Sequence, residues 1–209
     1  MVNGTVTPIR TATGKPGKAI TVGISPVAIA ITPDGKTAYV LSQPNSSENG
    51  VVTPIRIATG TAGTAIPVGK FPRAIAITPD GKTAYVVNSD SGTVTPIRTA
   101  TGRPGNAIPV GKSPWAIAIT PDGNTAYVVS QLNYIVNGIV TPIRTATNKP
   151  GKAIMVGKFP WAIAITPDGE TAYVSNSGSG TVTPIRTATG RPGKAITVGG
   201  GPWAIAITP

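Results

Sequence analysis

The chain contains no cysteine and no histidine, and these two absences exclude much of the common chemistry of protein sites. Without cysteine there is no disulfide framework, no zinc-cysteine site and no thiol nucleophile. Without histidine, the commonest general base and the commonest metal ligand are both missing. We therefore expect neither a metal site nor a bound cofactor.

Acidic residues are also scarce, with seven Asp and Glu against 18 Lys and Arg and a net charge of +11. Such a surface attracts anionic partners non-specifically. If nucleic acid binds, we expect it to bind weakly, without sequence preference and with a steep salt dependence. The same scarcity limits acid–base chemistry to tyrosines, lysines and the three carboxylates Glu48, Asp90 and Glu170.

Long apolar runs are absent as well. No stretch approaches the roughly 20 apolar residues of a membrane helix, so we expect no membrane span. Met1 is followed at once by a short polar segment and the first repeat, so the sequence shows no signal peptide.

What the sequence does have is a repeat built around Thr-Pro-Ile-Arg. It starts at residues 7, 53, 95, 141 and 183, with steps of 46, 42, 46 and 42 residues. A period of this length indicates a repeat architecture. We assign residues 1–209 to one domain, with repeats beginning near residues 5, 51, 93, 139 and 181. The alternating step lengths indicate duplication of a two-repeat unit.

The sequence of each repeat predicts four short strands. Residues 114–157 serve as the example. The predicted strands are Trp115–Thr120, Thr125–Ser130, Ile139–Thr145 and Ala153–Val156, which are rich in β-branched and aromatic residues. A Pro-Asp-Gly turn follows the first strand. The turn Asp residues are interpreted as turn formers on the face opposite the candidate site described below: Asp34, Asp80, Asp122 and Asp168.

Two details of these strands make structural predictions. In the first strand, Ile117 and Ile119 should share a face with Trp115, while Ala116 and Ala118 point the other way. The large face of one repeat could then pack against the small face of its neighbour. The third strand carries a proline in every repeat, which conflicts with an internal position unless a bulge or a gap accommodates it.

Four strands per period of about 42 residues predict an all-β fold, a β-propeller of four-stranded antiparallel blades. We count five blades, four of them complete and one a composite of the two termini. The composite lacks its second strand, because the Tyr-containing strand occurs only four times. We favour closure of a five-bladed ring within one chain. The alternatives are a homo-oligomer joined through unpaired terminal strands and a longer natural ring.

Residues 74–97, AIAITPDGKTAYVVNSDSGTVTPI, resemble the YVTN-type propeller repeat of bacterial and archaeal proteins. Its hallmark is a PDG turn followed by a Tyr-Val strand and an Asn, which here is Asn88. The resemblance implies a ring of blades, usually seven, and an extracellular or cell-surface location. It implies no catalytic residues, because the family shares none. Arg occupies a position where the family commonly carries an acidic residue.

One loop face collects the residues that vary between repeats. The loops before the first strand and after the second should emerge together there, bringing aromatic rings next to cations. Such pairs suit stacking on a sugar, base or peptide and attraction of anionic groups. An alternative is that the rings fill the channel or pad the blades. The candidate ligand-binding residues are Arg73, Trp115, Trp161, Trp203, Lys70, Lys112, Lys158 and Tyr134.

From this face we predict a non-catalytic binding or scaffold propeller, not an enzyme. Its partner would be an unidentified protein or an anionic or glycan polymer. A second hypothesis is a purely structural module, either a fragment of a larger surface propeller or an engineered or reconstructed repeat protein. A propeller lyase or hydrolase is the third, disfavoured because so few acid–base residues remain.

Overall fold

The computed structural model describes residues 3–45, 48–131 and 135–208. The described part of the chain contains strands and turns with no helix, which confirms the predicted all-β propeller. In particular, it has no helix long and apolar enough to cross a membrane.

The first two strands form a small antiparallel sheet of their own, β1 (Thr5–Val6) and β2 (Ile20–Thr21). Four larger sheets follow in chain order, and we call them blades 1 to 4. Blade 1 contains β3 (Pro26–Ile31), β4 (Thr37–Ser42), β5 (Asn49–Arg56), β6 (Thr61–Ala62) and β7 (Ile66–Lys70).

The other three blades repeat this pattern. Blade 2 contains β8 (Pro72–Ile77), β9 (Thr83–Asn88), β10 (Thr93–Arg98), β11 (Arg103–Pro104) and β12 (Ile108–Pro109). Blade 3 contains β13 (Pro114–Ile119), β14 (Thr125–Ser130), β15 (Asn137–Arg144), β16 (Lys149–Pro150) and β17 (Ile154–Lys158). Blade 4 contains β18 (Pro160–Ile165), β19 (Thr171–Asn176), β20 (Thr181–Arg186), β21 (Arg191–Pro192) and β22 (Ile196–Thr197).

Each blade is four-stranded, but its fourth strand is broken into two pieces that both pair with the third strand. This break accounts for the proline of the third strand. The Pro54 carbonyl accepts a hydrogen bond from the Gly63 N–H at 2.7 Å, inside the break of blade 1. The N and C=O of one strand residue point to the same side in an antiparallel sheet. The missing N–H of Pro54 therefore faces the break and leaves no partner unsatisfied.

The core lies between neighbouring blades. Between blades 2 and 3, Ile117 and Ile119 pack against a buried cluster that includes Val94 and Val128, while Ala74 of blade 2 packs from the other side. The large face of one first strand thus meets the blade before it, and the small face meets the blade after it. The same arrangement recurs between blades 1 and 2 and between blades 3 and 4.

Tyrosines of the second strand link each blade to the next one along the chain. The hydroxyls of Tyr39 and Tyr127 donate to the carbonyls of Thr99 and Thr187, each at 3.1 Å. Tyr85 donates to Asn148 Oδ1 at 2.7 Å. Each bond spans about 60 residues of sequence, so these tyrosines fix the order and spacing of the blades.

The prediction of five blades is consistent with a partial propeller. However, the expected closure of the ring by pairing of the two termini is not found in the described residues. β1 and β2 pair with each other, and residues 203–208 lie outside any strand. The sheet of β1 and β2 packs through Val6 and Ile20 on the second and third strands of blade 1. The inner strand of blade 1 stays uncovered, with Ile29 and Ile31 51% and 55% exposed. Among the residues that the structure describes, no inner strand lies in front of blade 1, so the blades stand in an open row.

Candidate functional site

A backbone irregularity at the start of each first strand builds the candidate site. Ser25, Phe71, Ser113 and Phe159 have φ between 46° and 51°, a left-handed conformation that non-glycine residues rarely adopt. Each is followed by a proline that opens the strand. The carbonyl of each left-handed residue accepts a hydrogen bond at 3.0 Å from the N–H of the residue just after the second strand. This conformation costs energy, and such strain is concentrated at functional sites.

The residue after that proline is the extra residue of a β-bulge. In blade 3, Pro114 pairs with Ser130 and Ala116 pairs with Val129, so Trp115 has no opposite residue. Blades 1, 2 and 4 have the same register shift. A bulge re-aims its side chain and is over-represented beside active sites. The bulge therefore interrupts, at this position, the strict alternation that was expected to place Trp115 on the face of Ile117.

The bulge residues Trp115 and Trp161 meet Trp203 in a continuous row of rings. The Trp115 and Trp161 ring centroids are 4.6 Å apart, and those of Trp161 and Trp203 are 4.4 Å apart in an edge-to-face arrangement. Phe159 packs beside Trp161 at 5.7 Å. Trp203, at the end of the row, is 53% exposed. The three tryptophans named from the sequence thus lie together.

Arg73 occupies the blade 2 place in this row. Its guanidinium carbon lies 3.9 Å from the Phe71 ring centroid and 4.4 Å from that of Trp115, within the range of cation–π attraction. Burial lowers the pKa of Arg73, and the attraction of Asp90 opposes that shift. Two ion pairs are found in the described residues, Lys36 with Asp34 and Lys82 with Asp80. Asp90 therefore attracts the guanidinium from beyond ion-pair distance.

Three buried polar atoms have no hydrogen-bond partner within the described structure: Ser42 Oγ, Gln43 Oε1 and Arg73 Nε. Ser42 and Gln43 end the second strand of blade 1, and Arg73 starts the first strand of blade 2. Gln43 and Arg73 therefore border blades 1 and 2 on the loop face, whereas Ser42 lies on the other side of blade 1, where a Cβ on Gly23 would come within 2.7 Å of its Cβ. Buried polar atoms are nearly always paired, so these unpaired atoms call for a functional explanation.

The equivalent Ser and Gln of blade 3 both make hydrogen bonds, Ser130 to the preceding blade and Gln131 to the following one. Ser130 Oγ donates to the Val110 carbonyl at 3.1 Å, and Gln131 Nε2 donates to the Pro160 carbonyl at 2.8 Å. The bulge residue at the border between blades 3 and 4 is Trp161, in place of Arg73. The unpaired atoms are therefore not a property of the repeat but a local feature of blades 1 and 2.

The other predicted site residues lie apart from the row. Lys70 and Lys158 end the second piece of the fourth strand, opposite Asn49 and Asn137, and both are exposed. Lys112 is exposed in the loop before blade 3. All three share the loop face, and in the described part of the chain none of them takes part in the ring contacts given above. Tyr134 falls outside the described residues.

The turn aspartates behave as turn formers. Thr32 Oγ1 donates to Asp34 Oδ1 at 2.6 Å, and the Lys36 N–H donates to the same oxygen at 3.0 Å. These hydrogen bonds lower the pKa of Asp34, as their counterparts do for the other three turn carboxylates. In the parts of the chain that the structure describes, no group of three or more acidic side chains is placed to hold a metal ion.

Sequence reasoning missed the role of Asn88 and Asn176. The Asn88 Oδ1 accepts from the Gly69 N–H of blade 1 at 3.0 Å, and its Nδ2 donates to Thr95 at 2.9 Å. Asn176 makes the corresponding bonds to Gly157 and Thr183. Both are fully buried, so each joins its blade to the preceding one. The repeated Gly opposite each Asn was the available signal.

The border between blades 1 and 2 falls within a match to a known family. Residues 2–107 match the model of the lactonase family of seven-bladed β-propellers. The chain belongs to this family. The matched half contains Ser42, Gln43, Arg73 and Asp90, and it ends before the first tryptophan of the row.

Three solved structures share the propeller fold with this family member. Hydrazine synthase from Kuenenia stuttgartiensis is 29% identical with a TM-score of 0.75, and the alignment covers 84% of this chain and 49% of that one. A functionally unknown protein from Desulfotomaculum acetoxidans is 23% identical with a TM-score of 0.76, covering 93% and 64%. The dihydro-heme d1 dehydrogenase NirN, in complex with DHE, is 17% identical with a TM-score of 0.76, covering 93% and 42%. No curated protein matches the chain.

These comparisons overturn two of the expectations from sequence. The chain was expected to be a non-catalytic binding or scaffold propeller and not an enzyme, because histidine and cysteine are missing and few carboxylates lie outside the turns. Its family is named for a lactonase, and two of the three similar structures are enzymes by name. The composition argument failed because it counted residue types without their environment. The lactonase family chain spans between 42% and 64% of the length of these structures.

Proposed function

We propose that this lactonase-family chain carries part of a propeller enzyme that opens a negatively charged cyclic ester by hydrolysis. Arg73 is the observation that carries the proposal. It is the cation of the aromatic row, its Nε is buried without a partner in the described residues, and Gln43 Oε1 at the border of the same two blades is unpaired as well. A lactone carrying a carboxylate or phosphate would place its anionic group or its carbonyl oxygen against this guanidinium.

The reaction needs a donor for the developing oxyanion and an acceptor for a proton of water. Water oxygen bonds to the carbonyl carbon, the ring C–O bond breaks, and the leaving alkoxide takes up a proton to give a hydroxy acid. Arg73 N–H groups can donate to the carbonyl oxygen as its charge grows. Asp90, close enough to attract Arg73 without pairing with it, can accept the proton of water.

The aromatic row supports substrate binding next to this charge. Trp115, Trp161 and Trp203 offer ring faces that run from Arg73 to the exposed end of the row. Concave or stacked apolar surface with few polar groups is typical of small-molecule sites. The rings would hold the ring atoms of the substrate, and Arg73 would fix its orientation.

Assignment to the YVTN type within the lactonase family is also a proposal. Its support is the motif ending in Asn88 and Asn176 together with the bonds that these residues make to the preceding blade. The extracellular location implied by that resemblance and the polymer or protein partner inferred from the loop face both stay predictions.

The test is turnover of a panel of neutral, carboxylated and phosphorylated lactones, measured as acid release. Arg73→Trp is the sharpest variant, because blades 3 and 4 carry Trp at this bulge and the fold tolerates it there. We expect it to lower kcat/KM by about 100-fold or more, the usual effect of losing one oxyanion donor. Asp90→Asn should lower kcat by a factor on the order of 100.

Lys112→Gln is the matched control, since it removes one exposed positive charge from the same face and should change kcat/KM by less than about twofold. Charged lactones should be turned over faster than neutral ones. Absence of turnover across the panel, or equal rates for Arg73→Trp and the unmodified chain, would contradict the proposal.

A further inference from the structure

On the face opposite the aromatic row, a cleft separates the outer strands of blades 3 and 4. We call it the 3–4 cleft. It has a volume of about 740 Å³ and is lined by four cations and no carboxylate: Arg144, Lys149, Lys152 and Arg191. All four side chains are exposed, and none takes part in an ion pair in the described residues. The cleft is therefore a local concentration of uncompensated positive charge.

Strand register forces two of these cations together. Arg144 lies directly opposite Lys149 in the pairing of β15 with β16, and Arg186 lies opposite Arg191 in blade 4. Like charges in opposite positions destabilise an antiparallel pair. In blade 1 the same register position pairs Arg56 with Thr61, so the repeat does not require two cations there. A bound anion would offset this repulsion.

The shape of the cleft depends on one backbone position that glycine occupies in most repeats. Gly190 lines the 3–4 cleft, and Gly102 lines a cleft of about 720 Å³ between blades 1 and 2 that holds Arg56 as its one cation. Between blades 2 and 3 the equivalent residue is Asn148, with the same left-handed φ of 55°. Its side chain bonds the Tyr85 hydroxyl, and the cleft that it lines measures about 310 Å³.

We propose that the 3–4 cleft binds an anion carrying several phosphate groups, independently of the enzymatic site on the opposite face. Three observations carry this: the charge of the lining, the volume left open by Gly190, and the absence of both features together in the two neighbouring clefts. Phosphate oxygens accept bidentate hydrogen bonds from arginine and point-charge contacts from lysine. The three-phosphate chain of inorganic tripolyphosphate is a suitable probe.

Isothermal titration calorimetry with tripolyphosphate at low ionic strength tests the site. The double variant Arg144→Gln/Lys149→Gln should raise Kd by at least about tenfold, the effect of losing two charge-assisted contacts. The matched control is Arg98→Gln/Arg103→Gln, which removes the same charge from the same register position of blade 2. We expect the control to change Kd by about twofold, through general charge alone.

Gly190→Asn tests the shape without changing the charge. The φ of Gly190 is 64°, and an added Cβ would meet only Ile154 Cδ1 at 3.5 Å, so the variant should fold as blade 3 does with Asn148. It should raise Kd by at least about tenfold by filling the cleft. A melting-temperature measurement checks that it remains folded. A short DNA oligonucleotide titrated in parallel distinguishes phosphodiester backbone from free oligophosphate.

The proposal is supported if Gly190→Asn and the Arg144/Lys149 variant both weaken binding while the Arg98/Arg103 control does not. It is overturned if tripolyphosphate fails to bind, if both double variants weaken binding equally, or if Gly190→Asn leaves Kd unchanged. The last two results would mean that phosphate is attracted by the net charge of the molecule and not by this cleft.

Discussion

At the scale of single residues, the tyrosines of the second strand show how burial changes the pKa of a side chain in this fold. Tyr85 is almost fully buried, with its hydroxyl bonded across to blade 3. Burial, with a smaller contribution from Asp80, raises its pKa to about 12. Burial likewise raises the pKa of Tyr39 and Tyr127. These hydroxyls stay protonated in the folded chain at pH values where unfolded tyrosine ionises.

We predict that stability falls in strongly alkaline solution. The folded pKa of Tyr85 lies above the unfolded value, so its contribution is complete below pH about 10 and is lost as the pH rises through about 12. Urea midpoints across this range, with tyrosinate absorbance as a second readout, measure the effect. Tyr85→Phe should flatten the pH dependence. Ionisation of every tyrosine near pH 10 in the folded chain would contradict the prediction.

Residue identity predicted part of the candidate site and missed the rest. Arg73 and the three tryptophans could be named because they vary at one place in an otherwise constant repeat. The unpaired Ser42 and Gln43 could not, because Ser130 and Gln131 have the same identities and are paired. The difference lies in the hydrogen-bond partners that the neighbouring parts of the fold provide, and the sequence of a single repeat does not show those partners.

At the scale of strands, the close approach of one blade to the next limits which residues can replace a glycine at the contact. Gly157 lies in β17 and faces Asn176, whose amide accepts from the Gly157 N–H at 3.1 Å. A Cβ on Gly157 would lie 2.7 Å from both Cβ and Cγ of Asn176. Since these atoms belong to a buried and hydrogen-bonded side chain, they have little freedom to move.

Gly157→Ala should therefore destabilise the chain by about 1–3 kcal/mol, the usual cost of overpacking, with a further loss if the Asn176 bonds break. Gly200→Ala is the matched control, because nothing lies within 4 Å of its added Cβ. Chemical denaturation of both variants gives the comparison. Equal stability of the two would show that the contact between β17 and Asn176 relaxes freely.

Strand positions were largely predictable, since turn residues and β-branched runs recur in every repeat. The second strand of blade 3, Thr125–Ser130, matches its prediction in full. The bulge at Trp115 and the break in the fourth strand were not predicted, because both depend on hydrogen-bond register and not on apolar pattern. Proline in the third strand was the one sequence sign of that break.

At the scale of the whole molecule, blade packing follows one direction. The Ile pair of each first strand covers the blade before it, so the first complete blade keeps its own pair exposed. Ile29 is 51% exposed, whereas Ile117 packs between blades 2 and 3. The two residues have the same identity and the same place in the repeat, which makes them a matched pair.

We expect Ile117→Ala to cost about 2–4 kcal/mol of stability, the range for deleting a core aliphatic side chain. Ile29→Ala should cost less than about 0.5 kcal/mol, as for an exposed position. Thermal or urea unfolding of the two variants provides the measurement. A similar cost at both positions would mean that the inner strand of blade 1 is covered in solution.

Closure of the ring was the least predictable feature, and the prediction favoured the wrong arrangement. It relied on the rule that strand edges are costly, and that rule gives no distance between the two termini. The alternation of large Ile and small Ala along the first strand was the better guide. It indicated that each blade needs a partner on both sides, which blade 1 lacks at its inner strand.

The forward-reaching tyrosines give this row of blades a polarity. Tyr39, Tyr85 and Tyr127 each fasten their own blade to the one that follows, whereas the Tyr173 hydroxyl has no such bond among the described residues. In a repeat protein, stability is a sum of unit and nearest-neighbour terms. Amide protons should accordingly exchange slowest at the joint between blades 2 and 3, and fraying should advance from the two ends toward that joint.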